Sequence, residues 1–167
     1  RLAIRLLLAA RSAVQKRHIR DADVVLPLSR SFAQELGDDY RLPAGRLSPI
    51  VSNPIDLDRY RPAAHDRDAG AGGGPITLLF VSRIAVRKGV EMIVELSRRL
   101  DDLQGRVRLV VAGNHSLWSD YRSLLAGLNP AVAEYIGPVS GSAMDALYRS
   151  CDALVQPSHY EPFGLTV

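Results

Sequence analysis

From residue 76 onward the chain alternates between two rhythms. Short, wholly apolar runs are followed by stretches with helical spacing. ITLLFVS (76–82), VRLVVAG (107–113), AEYIG (133–137) and ALVQPS (153–158) are the apolar runs. GVEMIVELSRRL (89–100), SDYRSLLAGL (119–128) and SAMDALYRS (142–150) carry the helical spacing, and a last helix begins near Phe163. A strand that is apolar on both faces must be covered on both faces, which is the property of parallel sheets. The pattern therefore predicts an α/β fold, a Rossmann-like parallel sheet with helices on both faces. Ser142 is the expected cap of the 142–150 helix, with Asp145 in its first turns.

Such sheets bind ligands beyond the carboxyl ends of their strands. The polar residues of the second half gather at those ends: Ser82-Arg83, Gly113-Asn114-His115, Gly137-Pro138 and Ser158 to Gly164.

The first third reads differently. RLAIRLLLAARSAVQK (1–16) has helical spacing, with Arg1, Arg5, Ser12 and Lys16 on one side. Ile4, Leu8 and Arg17 blur its two faces, so a surface helix packed on its own domain is expected, with peripheral contact to an anionic membrane as the alternative. Its unbroken apolar run, Leu6 to Ala10, is too short to span a bilayer. ADVVLPLS (22–29) predicts a buried strand. SFAQEL follows as a short helix capped by Ser29 or Ser31 and stopped by Gly37. LSPIVSNPIDLDRYRP (47–62) predicts an extended, turn-rich segment, since a residue before Pro avoids helix. AAHDRDAGAGGGP (63–75) is charged and then glycine-rich, which predicts a loop. The domain division expected is 1–60, a loop at 61–75, and 76–167.

Charge and cysteine content narrow the function classes. The 21 Lys and Arg exceed the 18 Asp and Glu by only 3, which does not supply the basic stripe of a nucleic-acid-binding domain. It leaves room for a local anion site. Cys151 is the one cysteine, so no disulfide can form within the chain and no cysteine cage can hold a metal. A reducing, cytoplasmic setting fits.

VSRIAVRKG (81–89) places Arg83, Arg87 and Lys88 between an apolar strand and a helix start. A planar guanidinium, a mobile ammonium and the helix N-terminus together suit a diphosphate. The stretch lacks the G-x-G-x-x-G series of dinucleotide-binding folds and the Gly-Lys-Ser/Thr ending of a P-loop. A solvated basic loop is the alternative. In HYEPFGLTV (159–167), Glu161 falls at the end of an apolar strand, where a carboxylate can accept hydrogen bonds from sugar hydroxyls. Gly164 allows a ligand to approach the backbone closely. A helix-capping Glu is the structural alternative. His18, His65, His115 and His159 receive no catalytic role. Asp120, Glu134 and Asp145 are expected on solvated faces or loop ends. Trp118 and Tyr121 are expected to pack, and Tyr160 either to pack or to stack near a ligand.

Three of these segments together resemble the retaining, nucleotide-sugar-dependent glycosyltransferases of the GT-B fold, family 4. FVSRIAVRKGVEMIVEL, LVVAGNHSLWSDYRSLL and CDALVQPSHYEPFGLTV carry the likeness, and SNPIDLDRYRP resembles the segment that enters the donor domain. The resemblance implies that residues 76–167 form the donor domain and 1–60 the tail of the acceptor domain. It implies that Arg83 and Lys88 clamp the donor pyrophosphate and stabilise the leaving nucleotide. Glu161 matches the first Glu of the family's paired-Glu signature and would contact the donor sugar. Phe163 and Gly164 would contact that sugar, and the amides of Leu165 and Thr166 would approach the phosphates. Val139 would touch the base, and Asn114 would line the pocket. The donor would be an NDP-sugar, with no cofactor or metal required. The acceptor would be a carbohydrate, a lipid or a small molecule, with no nucleic acid and with membrane contact at the inner face allowed for.

Two departures stand out. Ser82 replaces a frequent Gly, and the second Glu of the signature would fall beyond residue 167. The expectation is a partial chain of a hexosyltransferase-type enzyme, itself inactive. A non-catalytic nucleotide-sugar-binding segment, a nucleotide-sugar epimerase and a glycogen-phosphorylase-like enzyme remain as alternatives.

Overall fold

The four apolar runs form one sheet. A computed structural model of the chain describes residues 2–60, 74–115, 120–161 and 164. The chain divides into two compact units, one built mainly on Arg1–Pro54 and the other on Ile55–Glu161.

In the second unit β1 (Ile76–Val81), β2 (Val107–Ala112), β3 (Ala133–Gly137) and β4 (Ala153–Leu154) lie in the order β3-β2-β1-β4. All neighbours are parallel. Alternate side chains point to opposite faces of a strand, and both sets are apolar here. Phe80, Leu109 and Val111 turn to one face, where Val90 and Ile93 of α3 (Val90–Arg99) meet them with Ile84, Leu125 and Val132. Leu79, Val81, Val110 and Ala112 turn to the other, against Met144, Leu147 and Tyr148 of α4 (Gly141–Ser150). Burying each such side chain contributes roughly 1.5–3 kcal/mol. The α/β class with a Rossmann-like parallel sheet and helices on both faces is thus the observed one.

Three expectations in this unit need correction. The 119–128 stretch is a 3-10 helix over Arg122–Gly127, not an α-helix. So short a run does not repay α-helix nucleation, and the Gly127 carbonyl is taken by Arg98 Nε at 3.0 Å. The cap of α4 is Ser140, not Ser142, and it works through extended backbone without a side-chain bond. The last strand covers only Ala153–Leu154, although Val155 N–H still donates to Leu79 O at 2.8 Å. Pro157 has no N–H to continue the ladder.

Residues 55–60 belong to the same unit. Asp56 Oδ1 accepts from the N–H groups of Asp58 and Arg59, closing a turn. Arg59 Nε then donates to both carboxylate oxygens of Asp145 at 3.1 and 3.0 Å, and its Nη2 to Gly141 O at 3.4 Å. Tyr60 meets Tyr148 edge to face at 6.4 Å. The segment is therefore pinned to the first turns of α4.

The first unit holds α1 (Leu2–Asp21) and α2 (Arg30–Tyr40). No residue of α1 is buried, and Leu2 and Leu7 are 73% and 70% exposed. The helix lies on the surface as expected, and it meets its own unit at its C-terminal end, where Arg20 Nε donates to Tyr40 O at 3.3 Å. None of their helices is long and apolar enough to cross a membrane. The 22–29 run is not a buried strand either. It makes a single parallel bridge, Val25 to Leu47, and Val24 and Leu26 stay exposed. Pro27 withholds the donor that a longer ladder needs.

Ser29 caps α2 by accepting from Phe32 N–H at 3.2 Å. The helix does not stop at Gly37 but runs on to Tyr40, and Arg41 closes it in the left-handed conformation, its N–H donating to Gly37 O. A glycine inside a helix costs about 1 kcal/mol and does not forbid it. The 63–75 loop lies almost wholly outside the described residues.

Two internal contacts make measurable predictions. Ser97 is fully buried; its Oγ donates to Val94 O at 2.7 Å and accepts from Asn129 N–H at 3.0 Å. Ser97→Ala strands that N–H, and denaturant unfolding should show a loss of about 1–3 kcal/mol. Gly113 stands at φ 146°, and a Cβ there would lie 1.7 Å from Ser82 O. Gly113→Ala should push the β1 and β2 exits apart and cost roughly 2–4 kcal/mol by the same measurement.

Candidate functional site

The carboxyl ends of the strands are knitted together before any side chain acts. Ser82 N–H donates to Ala112 O at 3.1 Å, Ile84 N–H to Asn114 O at 2.8 Å, and Gly113 N–H to Gly137 O at 2.9 Å. The Tyr135 hydroxyl donates to Gly113 O at 2.7 Å. Gly113 permits this closeness because it has no Cβ to collide with Ser82.

Strand order reverses at β1. The chain leaving β1 crosses through α3 to reach β2 on one side, whereas β4, reached through α4 on the opposite face, lies on the other side. Loops leaving two such neighbouring strands part, and the crevice between them is where open α/β sheets bind ligands.

Lys88 and Glu161 meet at this switch point. Lys88 ends a single 3-10 turn, Val86–Lys88, after β1. Glu161 lies beyond β4. Lys88 Nζ donates to Glu161 Oε2 across 73 residues of sequence. Their side chains are 12% and 26% exposed, so the pair is only partly screened by water. Gly89 makes the approach feasible: it stands at φ 74°, and a Cβ would lie 2.1 Å from Pro157 O. Only glycine lets the exit of β4 press so closely against the start of α3.

A second contact runs beside the first. His159 N–H donates to Arg87 O at 3.0 Å, and His159 Nε2 lies 2.5 Å from Glu91 Oε1. Burial pushes the Glu91 carboxyl up, but the hydrogen bonds from His159 and from its own backbone, with the imidazole charge, hold it below its ordinary 4.5. The sequence reading missed this pair. Its signal was an acidic residue in the first turn of a helix, where the dipole favours it, with a His in the loop opposite.

The other predicted residues fall as follows. Arg83 is exposed just after β1. Asn114 is exposed after β2, with its Oδ1 accepting from His115 N–H at 2.8 Å. The Val139 side chain packs with the second core against the sheet, so a base contact from this residue would have to come from its backbone. Gly164 is half-buried at φ 78°. Phe163, Leu165 and Thr166 lie outside the described residues, as do His65 and Trp118.

Tyr160 is 40% exposed and is not a core residue. Asp120, Glu134 and Asp145 each face an arginine: Arg122, Arg108 and Arg59. Among the described residues no three potential ligands gather around one point. The arrangement offers a partly buried ammonium for an anion. Beside it stands a carboxylate able to accept from hydroxyls.

Comparison with known proteins bears on the fold and the family. The chain is 31% identical to the D-inositol 3-phosphate glycosyltransferase of Geodermatophilus obscurus, over 93% of its own length and 37% of that protein's. It thus spans little more than a third of that curated relative. The fold matches Anabaena HepE, solved in complex with UDP and glucose, with a TM-score of 0.67 at 16% identity, over 86% of this chain and 40% of that one. It also matches S. aureus TarM, with a TM-score of 0.69 at 14% identity, over 90% and 28% of the two chains. The model of the family described as glycosyl transferases group 1 matches residues 63–167. That match takes in both loops of the switch point, and the chain belongs to the group 1 glycosyltransferases.

Proposed function

We propose that the protein containing this chain transfers a sugar from a nucleoside diphosphate sugar to an acceptor with retention at the anomeric carbon, and that residues 76–167 are its donor domain. The contact of Lys88 with Glu161 at the strand-order switch carries this reading. A cation beside an acceptor of hydroxyl hydrogen bonds is the pairing that a sugar diphosphate calls for, and this supports the reading. UDP in the HepE complex supports the donor class.

In this mechanism Lys88 and Arg83 bind the diphosphate and gain strength as charge builds on the leaving nucleotide. Such preorganised cations are worth most in a site that excludes water. Glu161 orients the sugar through its hydroxyls. When a diphosphate arrives it competes with Glu161 for the Lys88 ammonium, and the carboxylate is released toward the sugar. The leaving phosphate takes the acceptor's proton on the same face of the ring, so the chemistry requires no metal or cofactor. Backbone groups of Phe163, Gly164, Leu165 and Thr166 complete the site in this proposal, with Asn114 and the backbone of Val139 toward the nucleoside. The acceptor is a carbohydrate, a lipid or a small molecule.

Calorimetry with UDP, GDP and ADP tests the donor assignment. Each lost charge-assisted hydrogen bond is worth roughly 1.5–3 kcal/mol. Lys88→Ala and Arg83→Ala should therefore each weaken the preferred nucleotide about 10- to 100-fold. Glu161→Gln should leave nucleotide affinity within a few-fold while sugar transfer falls. Undiminished binding in both cation variants would remove the assignment. Retention is checked by the anomeric proton coupling of the first product formed from an α-linked donor, which should be α; a β product would overturn it.

A further inference from the structure

We propose that Glu91 and His159 are positioning residues: a hydrogen-bonded pair that sets the place of Glu161 against Lys88. The role rests on the reading of Lys88 and Glu161 as the donor-binding pair.

Four ties join residues 157–161 to residues 87–91, and they follow in order. Pro157 O presses on Gly89. His159 N–H donates to Arg87 O at 3.0 Å. The His159 ring meets Glu91 at 2.5 Å. Glu161 meets Lys88. Residues 157, 159 and 161 all meet this one stretch, although the chain bends at His159. The ladder to β1 has already ended at Val155, whose N–H makes the last bond to Leu79 O. Beyond that point sheet pairing does not place Glu161. The His159 ring, two residues before it, is anchored on Glu91.

Stability alone is a poor reason for this pair. Glu91 Oε2 is buried and has no hydrogen-bond partner among the described residues. The side chains of His159 and Glu91 are 52% and 40% exposed, and an ion pair that open to water contributes little to stability. What Glu91 adds is direction. Its Oε1 fixes the imidazole, which fixes the backbone that carries Glu161. Misplacing a reacting or binding group by about 1 Å can cost 10²-fold in rate, so a second tether has a use.

The test reads the contact directly. In the full chain, with assigned proton spectra, a nuclear Overhauser effect should join the Lys88 ε-methylene and the Glu161 γ-methylene. It should vanish in Glu91→Ala and His159→Ala and return in Glu91→Gln, which keeps an acceptor oxygen. Far-UV circular dichroism monitors folding. Should the alanine variants lose helix, His159→Phe keeps the ring's bulk without its N–H and serves in their place. A parallel titration with UDP should show about a tenfold weakening in Lys88→Ala. Persistence of the Overhauser effect in Glu91→Ala and His159→Ala, or in His159→Phe, overturns the positioning role, as does its absence from the unaltered chain. If the effect responds as stated but UDP affinity ignores Lys88→Ala, positioning stands and the donor-site reading falls.

Discussion

A parallel sheet whose strands are apolar on both faces cannot exist in water unless both faces are covered, and the rest of this structure follows from that demand. α3 covers one face and α4 the other. Because the two helices serve opposite faces, the strands they lead to fall on opposite sides of β1. The order β3-β2-β1-β4 is the outcome. The crevice above β1 is a by-product of covering the core, and it is where the polar residues of the strand exits collect.

What occupies that crevice depends on how near two loops can come. Gly89 and Gly113 each stand where a Cβ would strike a carbonyl oxygen of a neighbouring strand exit. With the backbones that close, short polar contacts become available: Lys88 with Glu161, and His159 with Glu91. Lys88 and Glu161 come together because the glycines remove the steric barrier between their segments. The Arg59–Asp145 ion pair does related work at another edge, holding residues 55–60 to α4.

Much of the second unit was legible in the residues. Runs such as ITLLFV and VRLVVA have no polar face, which leaves little but a doubly covered strand, and β1, β2 and β3 lie where those runs predict. Elements with weaker signals slipped. ALVQPS yields two strand residues, because Pro157 ends the ladder and sequence does not report how far a partner strand extends. The 22–29 run has the composition of a buried strand, yet it forms a single bridge in the first unit. Local composition cannot say whether a partner strand exists. Gly37 failed to stop α2 for a related reason: a weak local penalty was outweighed by continued hydrogen bonding to Tyr40.

For the candidate site, the sequence by itself determined the chemistry on offer. It supplied Arg83, Lys88 and Glu161 at strand exits, an anion-friendly helix start after Lys88, and glycines where loops must pass closely. It did so because charge, hydrogen-bonding capacity and the lack of a Cβ are properties of single residues. Only the tertiary structure decided which groups meet. Lys88 reaches Glu161 and not another carboxylate, His159 turns to Glu91, and the Val139 side chain turns into the core. Those choices depend on strand order and on which face each helix covers, and both arise from burying the whole sheet at once, not from any local stretch of chain.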